Sequence, residues 1–341
     1  MQVTVVRPGD LGPGEATLWA KFQHQTPIMA SPFLSLAFAR AVAEARPKAR
    51  VAVVEDGGHI EAFLPFELGP RRVGMPIGYP MNDLQGLVGS GSPVDARRVI
   101  RRAGLRGWRF TAAPAEQAVL APYHYDGAAV AAPVIDLSRG FRAYYEHVGR
   151  SVTKEPARKR RALAKRHGPV SLIWNTADLG HLSQMVSWKS AKYEGTRKLF
   201  ADPTAMRIVA NLVLAASDDC GGVVSVMLAG ERPFAISCNL TGPCGAVGWF
   251  TAYDPDLGSF SPGTVMTLAI AEEAANQGID RFDLGPGQDA YKFRLANHSY
   301  PVAGGAVWVS RAEAAARRAY RRFRSRLRLL SQSRVTFLQY R

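Results

Sequence analysis

The sequence is poor in cysteine and in acidic residues, and it has no long apolar run. Three cysteines among 341 residues do not indicate the disulfide framework of small secreted proteins. No stretch of about 18 apolar residues occurs, so we expect no membrane-spanning helix. The first ten residues, MQVTVVRPGD, lack a basic segment followed by an apolar core, so we expect no secretory signal and a cytoplasmic location.

Several common catalytic and cofactor motifs are also missing. The seven histidines are scattered and none has metal-ligand spacing to a cysteine, so we expect no metal. There is no Gly-x-Ser-x-Gly, no phosphate loop ending in Gly-Lys-Ser/Thr and no dinucleotide fingerprint. Cys238 and Cys244 flank a turn and could pair across a hairpin, but two free buried thiols are the simpler prediction.

What the chain has in excess is positive charge. Lysine and arginine number 43 against 28 acidic residues, which gives a net charge of +15. Such an excess favours anionic partners, namely phosphates, nucleic acid or a membrane surface. The charge is concentrated in two clusters, which are Lys154, Arg158, Lys159, Arg160, Arg161, Lys165 and Arg166, and Arg311, Arg317, Arg318, Arg321, Arg322, Arg324, Arg326 and Arg328.

The order of predicted elements indicates an α+β chain in two parts. Each part combines helices with a hairpin and a later strand, although no sequence repeat is visible. The Ala/Pro-rich stretch 114–134 is predicted to be irregular and to connect the parts. We therefore predict an N-terminal domain over 1–134, a C-terminal domain over 135–310 and a basic helix over 311–341.

The most informative stretch is 250–297. A strand ends at Tyr253, and Ser261 and Pro262 suit the N-cap and first turn of a helix. A short strand follows over 281–284, and Gly285-Pro286-Gly287 then turns the chain into a helix over 290–295. Backbone N–H groups at such a helix start suit an anion.

Four elements in this order carry a resemblance: Tyr253-Asp254, Ser261-Pro262-Gly263, Asp283 with Gly285 and Gly287, and Tyr291-Lys292. Together they resemble the signature of the CelD/BcsL family, acetyltransferase-like proteins of the GNAT superfamily linked to polysaccharide biosynthesis. That family is similar in turn to the FemAB group, which carries two GNAT-like domains in one chain. The resemblance implies tandem GNAT-like domains, each with a mixed central sheet flanked by helices, and a cofactor cleft in the second.

The resemblance also implies acetyl-CoA as the cofactor. The usual pyrophosphate loop, Gln/Arg-x-x-Gly-x-Gly/Ala, is absent at the start of the helix after Ser261, so coenzyme A binding is implied by the family alone. The implied cofactor-binding residues are Ser261, Gly263, Thr264, Gly285, Gly287 and Lys292. The structural alternatives are an ordinary capped helix and, for Lys292, an exposed lysine or a partner of Asp283.

Catalytic and acceptor residues follow from the same resemblance. Tyr291 is the candidate acid for the leaving thiolate, with aromatic packing as the alternative. Asp283 acts as a base, orients one, or ties the glycine turn, which we favour, and Tyr253 completes the catalytic set. The implied acceptor-binding residues are Asn82, Asp83, Trp188, Lys189, Lys192 and Tyr193. For the last four, the alternative is a partly buried amphipathic helix.

Three functions remain open. The first is an acyl-CoA-dependent N-acyltransferase, with acetyl-CoA as donor, acting on a sugar or a polysaccharide or cell-envelope precursor. The second is a FemAB-like transferase that uses aminoacyl-tRNA, and the third is a non-catalytic GNAT-like binding module. In the basic C-terminal helix, a stripe of Ala316, Ala319, Tyr320, Phe323, Leu327 and Leu330 is expected to pack on the second domain, with anionic lipid at the inner membrane face as the alternative.

Overall fold

The described part of the chain forms one mixed sheet of thirteen strands flanked by helices. The computed structural model describes residues 1–215, 217, 219–243, 245–287, 289–321 and 323. The expected α+β class is confirmed. No helix among these residues is both long and apolar enough to cross a membrane.

The strands alternate in chain order with helices and tight turns. Their bounds are β1 Gln2–Val6, β2 Ala49–Asp56, β3 His59–Leu68, β4 Val73–Pro76, β5 Val88–Gly89, β6 Gly107–Pro114, β7 His124–Asp136, β8 Val170–Ile173, β9 Gly221–Ala229, β10 Arg232–Gly242, β11 Gly245–Tyr253, β12 Arg281–Asp283 and β13 His298–Trp308. The helices are α1 Pro13–Gln23, α2 Leu36–Ala45, α3 Ala96–Arg102, α4 Gly140–Val148, α5 Arg150–His167, α6 Leu179–Lys192, α7 Glu194–Phe200, α8 Pro203–Leu214, α9 Pro262–Asn276 and α10 Ala290–Leu295.

Side-chain caps fix where several helices begin. Ser35, Asp95, Asp178 and Asp202 each accept a hydrogen bond from a backbone N–H in the first turn of α2, α3, α6 and α8. Such a bond satisfies one of the donors that a helix start leaves without a partner. These caps place the starts of α2 and α6 at Leu36 and Leu179.

The sheet is continuous across both halves of the chain. Its strand order is β1-β2-β3-β4-β6-β13-β7-β12-β11-β10-β9-β8, with β5 beside β3. The parallel pairs are β4 with β6 in the first half and β11 with β12 in the second, while the other pairs are antiparallel. One parallel pair in each half agrees with the predicted repetition of element order.

The stretch 114–134 is irregular only up to residue 123, so the prediction is wrong for the rest. Residues from His124 onward form the long strand β7, which pairs with β12 on one side and β13 on the other. Alanine and proline obscured the strand in the sequence, yet Val130 and Ala132 lie directly opposite Val302 and Tyr300 of β13. Pairing on both edges supplies the hydrogen bonds that local propensity does not predict. The proposed boundary between 134 and 135 falls inside this strand, and the domain division stays a prediction.

The largest buried cluster joins the two halves. Phe33 and Phe38 of the first half pack edge-on to Trp249 of β11, with ring centroids 6.1 and 6.4 Å apart. The indole N–H of Trp249 donates to the Met81 carbonyl at 2.7 Å. Edge-to-face aromatic pairs and a buried indole hydrogen bond are both stabilising. The loop after Met81 is therefore held against the second half.

Of the two thiols predicted to be buried and free, Cys238 and Cys244, one lies in the described part of the chain. Cys238 is buried and free, whereas Cys244 lies outside the described residues.

The apolar stripe of the C-terminal helix does not pack on the second domain in the described part. Residues 311–321 are helical, but Tyr320 and Phe323 are each 60% exposed, and Ala316 and Ala319 are exposed as well. The packing prediction is therefore wrong here, and Leu327 and Leu330 lie outside the described residues. Association with anionic lipid stays a prediction.

The neighbouring face of this helix makes the contacts. The Arg317 guanidinium lies 4.0 Å from the centroid of the Trp308 ring, and that of Arg321 lies 3.2 Å from the Tyr125 ring. Glu313 pairs with both Arg106 and Arg317. Planar guanidinium groups stack well on aromatic rings, which explains why this charged face lies against Trp308 and Tyr125.

The close approach of β13 to its neighbours gives a test of the sheet. We expect Gly305→Ala to lower the free energy of unfolding by about 1–3 kcal/mol, because the added methyl would lie 2.5 Å from the Tyr123 carbonyl oxygen and overlap the Phe110 ring. The control is Gly14→Ala in α1, where nothing lies within 4 Å. Urea denaturation checks both variants, and equal stability of Gly305→Ala and wild type would contradict the packing.

Candidate functional site

The site begins where β11 and β12 separate. These parallel strands pair at only two positions, Ala246 with Phe282 and Val247 with Asp283. Beyond Val247, β11 continues to Tyr253 while β12 ends at Asp283. The edge of β11 from Gly248 onward therefore has no strand beside it among the described residues, and its backbone groups there can accept other partners.

Asp283 lies buried at the base of this opening. Its Oδ1 accepts the Gly285 N–H at 2.8 Å, and its Oδ2 accepts the Tyr300 hydroxyl at 2.6 Å. Arg281 Nη2 is 3.8 Å from the same Oδ2. Burial raises the pKa of Asp283, and the bonds from Tyr300 and Gly285 oppose that rise. The carboxylate ties the glycine turn to β13, which is the structural role that we favoured from the sequence.

Asp83 of the first half reaches the same glycine turn. A methyl group placed on Gly285 would lie 3.0 Å from Asp83 Oδ2 and 3.9 Å from Lys292 Nζ. The glycine thus leaves room for the two side chains to approach each other. Gly287 also lies beside Lys292, because a methyl there would be 3.6 Å from Lys292 Nζ. The structure therefore brings Asp83, Asp283, Gly285, Gly287 and Lys292 together.

The charges of this cluster shift one another's pKa values. Loss of hydration raises the pKa of Asp83 to about 7, and nearby Asp283 adds to the rise, while Lys292 and Lys189 oppose it. Burial lowers the pKa of Lys189, and the neighbouring Lys292 ammonium lowers it further. Perturbed groups of opposite sign that converge on one opening are typical of functional sites.

Lysines of α6 line the free edge of β11. Lys189 Nζ donates to the Thr251 carbonyl at 3.0 Å, so it takes one backbone acceptor that lacks a neighbouring strand. Lys192 Nζ donates to the Tyr253 hydroxyl at 2.7 Å, and this bond raises the lysine pKa. The exposed ring of Tyr193 lies 5.4 Å from Lys189 Nζ and 5.3 Å from Lys192 Nζ. These four predicted residues form one aromatic and cationic edge.

Tyr291 is half-buried on α10. It packs against the second buried cluster, as the packing alternative requires. Burial raises the pKa of its hydroxyl, and the charges of Asp289 and Tyr193 add to that effect. The phenol therefore keeps its proton at neutral pH, which is also what a proton donor requires.

The start of α9 differs in detail from the prediction. Ser261 occupies the N-cap position but has φ 54° and ψ 49°, in the left-handed region, and its side chain makes no capping bond. The predicted side-chain cap is therefore wrong, because a capping side chain reaches the first-turn amides from an extended backbone, which Ser261 does not have. Its carbonyl accepts from the amides of Thr264 and Val265, as at other helix starts. The Gly263 amide is left without a partner in the described chain, and nothing lies within 4 Å of a methyl placed on Gly263.

Two predicted acceptor-binding residues are engaged elsewhere. Asn82 is buried, and its Oδ1 accepts from Gln85 Nε2 at 3.2 Å. Trp188 packs against the cluster that joins the halves. The amphipathic-helix alternative therefore describes Trp188 better, and acceptor binding by Asn82 stays a prediction.

Three residues escaped the sequence reasoning. Tyr300 bonds Asp283, the Arg281 guanidinium lies 5.0 Å from the Tyr300 ring, and Lys159 of α5 donates to the Ser259 carbonyl just before α9. Arg281 adjoins Asp283 on β12 and could have been suspected. Tyr300 and Lys159 come from distant segments that only the sheet and the helix packing bring close. Over the described ranges, no group of His, Cys, Asp and Glu could hold a metal.

Part of the second half is similar to a known family of protein domains. Residues 150–293 match the family described as an acetyltransferase (GNAT) domain. No curated protein matches the sequence.

Solved structures extend the likeness to both halves. FemX has a TM-score of 0.55 at 9% identity, with 90% of this chain and 96% of that chain covered. The C-terminal domain of a lysylphosphatidylglycerol synthetase from Agrobacterium fabrum gives 0.54 at 14% identity, covering 89% and 95%. A tandem GNAT protein from the clavulanic acid pathway gives 0.51 at 13%, covering 91% and 98%. The fold is therefore the GNAT fold in its tandem arrangement, as the resemblance implied.

The raised pKa of Asp83 predicts how stability depends on pH. The folded protein keeps this proton up to about pH 7, whereas the unfolded chain loses it near its ordinary pKa of 3.8. Stability from this group is therefore present at acid pH and lost as pH rises toward 7. We expect Asp83→Asn to raise the free energy of unfolding relative to wild type. This gain over wild type should be about 2 kcal/mol larger at pH 8 than at pH 5.

Urea denaturation at the two pH values checks this expectation. The control is Asp95→Asn, an exposed cap of α3, where asparagine caps about as well as aspartate. A pH-independent effect of Asp83→Asn would contradict the assignment.

Proposed function

We propose that this chain is an acyl-CoA-dependent N-acyltransferase, with acetyl-CoA as donor, acting on a sugar or on a precursor of a cell-envelope polysaccharide. The GNAT domain over 150–293 supports an acyltransferase. The observation that carries the proposal is the opening between β11 and β12, where Asp83, Lys189 and Lys292 converge beside free backbone groups. Acyl transfer needs donors for an anion, a base for the acceptor and an acid for the leaving group.

The start of α9 is the proposed pyrophosphate position. It follows β11 after the short 3-10 helix Pro255–Phe260, and its partial positive charge favours an anion. The Gly263 amide is free in the described chain, the space beside it is open, and the Lys159 ammonium lies at the preceding loop. The residues present therefore fit a phosphate group. Bound acetyl-CoA would supply the acyl group as a thioester.

The chain's own residues would then handle the proton and the acceptor. Tyr291 keeps its proton at neutral pH and is our proposed donor to the leaving sulfur. Lys189, Lys192 and Tyr193, with Tyr253, form an aromatic and cationic edge. Such an edge suits a sugar that carries an anionic group, because the ring stacks on an aromatic face while the ammonium groups meet the charge.

A second candidate is a transferase that uses aminoacyl-tRNA. The observation in its favour is the exposed positive charge of α5, on Lys154, Arg158, Arg160, Arg161, Lys165 and Arg166. Phosphate neutralisation by such a helix gives binding that weakens steeply with salt. A non-catalytic binding module would bind neither acetyl-CoA nor tRNA.

Ligand binding by the purified protein separates these candidates. We expect saturating acetyl-CoA to raise the melting temperature, since a ligand of the folded state stabilises it. We expect Gly263→Asp to abolish coenzyme A binding in isothermal titration, because a carboxylate would then occupy the proposed phosphate position.

The matched control is Gly14→Asp. Gly14 is also the second residue of a helix that begins with proline, and a side chain there meets nothing within 4 Å. Unchanged binding by Gly263→Asp would place the phosphate elsewhere. Salt-sensitive tRNA binding without a response to acetyl-CoA would favour the second candidate.

The proposed acid is tested by Tyr291→Phe. Loss of the hydroxyl should lower turnover about 10²-fold or more while acetyl-CoA affinity stays near that of wild type. The ring and its packing remain, so the fold should be kept. Steady-state kinetics with a circular dichroism control checks this, and wild-type turnover in the folded variant would assign Tyr291 to packing alone.

A further inference from the structure

We infer that Asp83, contributed by the first half of the chain, is the general base that takes the proton of the attacking acceptor nitrogen. The inference rests on the proposed acyltransferase function. It also gives the first half a direct part in a reaction whose cofactor site lies in the second.

The two carboxylates at the opening differ in how they are bonded. Both oxygens of Asp283 accept hydrogen bonds, from Gly285 N–H and from Tyr300, and the side chain is buried. A carboxylate held by a bond on each oxygen and buried in this way is fixed in place as a tie between Gly285 and Tyr300. Asp83 accepts no hydrogen bond from any residue that the structure describes, and it is partly exposed. Asp83 is therefore the carboxylate that can meet an incoming proton.

The place of Asp83 suits a base. Its Oδ2 lies over Gly285, at the end of β12 where β11 and β12 have parted. The backbone position is fixed from the second half, because Trp249 of β11 bonds the Met81 carbonyl two residues earlier. A base held this way keeps its position relative to the opening between β11 and β12.

Charged groups from four elements surround Asp83. Lys292 of α10 and Lys189 of α6 stabilise its ionised form, whereas Asp283 of β12 and loss of hydration disfavour it. Tyr300 of β13 interacts with it as well but gives its hydroxyl proton to Asp283. The balance leaves Asp83 with a pKa of about 7, close to the working pH at which a general base is most effective.

The chemical step balances with the residues present. The acceptor nitrogen attacks the carbonyl carbon of the thioester, so that a carbon–nitrogen bond forms and the carbon–sulfur bond breaks. The proton displaced from nitrogen passes to the Asp83 carboxylate. The sulfur leaves with the electron pair of the broken bond and takes a proton, for which Tyr291 is the proposed donor.

The first experiment does not depend on activity. Carbon-13 NMR of protein labelled at the aspartate carboxyl carbons should show a resonance that titrates near pH 7 and is absent in Asp83→Asn. The matched control is Asp289→Asn, which removes an exposed carboxylate 4.0 Å from Lys292 and should keep that resonance. If no aspartate titrates near pH 7, or if the resonance survives in Asp83→Asn, the inference is wrong whatever the activity.

The second experiment measures release of free coenzyme A from acetyl-CoA with glucosamine and glucosamine 6-phosphate as probe acceptors. We expect Asp83→Asn to lower kcat/KM about 10²-fold or more and to remove the fall in rate below pH 7. Acetyl-CoA affinity by isothermal titration should be unchanged, and Asp83→Glu should restore part of the rate.

The outcomes separate the two claims. Transfer by wild type and Asp83→Asn at equal rates, with the same pH profile, overturns the base and leaves the proposed function intact. Failure of wild type to bind acetyl-CoA or to transfer to either probe overturns the function as proposed, and the base with it. A slow Asp83→Asn that keeps the wild-type pH profile shows a structural role and also overturns the base.

Discussion

The contact of Trp249 with the first half is the interaction on which the site depends. Its indole packs against Phe33 and Phe38 and donates to the Met81 carbonyl. Aromatic burial supplies stability, and the single directional bond fixes the position of the loop. This contact holds the loop that carries Asp83 against β11, the strand beside which the glycine turn after β12 lies. The two halves thus share one site as well as one sheet.

Environment separates the two carboxylates that meet at this turn. Asp283 is surrounded by donors and works as a tie between Gly285 and Tyr300. Asp83 accepts no hydrogen bond from the described residues. Loss of hydration and the charges of its neighbours together raise its pKa to about 7. An aspartate whose oxygens accept several hydrogen bonds can hold a turn, whereas an aspartate without such bonds can exchange a proton.

Local signals predicted the elements that bear the site with good accuracy. The end of β11 at Tyr253 and the short helix α10 agree with the sequence analysis, because turn glycines and apolar alternation act over a few residues. Strand β7 was not predicted. The described part of the apolar stripe in the C-terminal helix was predicted to pack on the second domain, although it is exposed. In both cases partners distant in sequence decide the outcome, namely β12 and β13 for the strand, and Trp308 and Tyr125 for the helix.

The sequence by itself determined the α+β class, the positive charge and the short segments that make each turn and helix start of the site, since these depend on composition and on neighbours along the chain. It also supplied the candidates Asp83, Lys189 and Lys292 as residue types. Only the tertiary structure decided that Asp83 and Lys292 meet at Gly285, with the charge of Lys189 nearby. It also decided that the Tyr300 hydroxyl bonds Asp283 and that β11 and β12 separate after two residue pairs. Burial and field effects act through space, so a pKa near 7 arises only after the chain has folded.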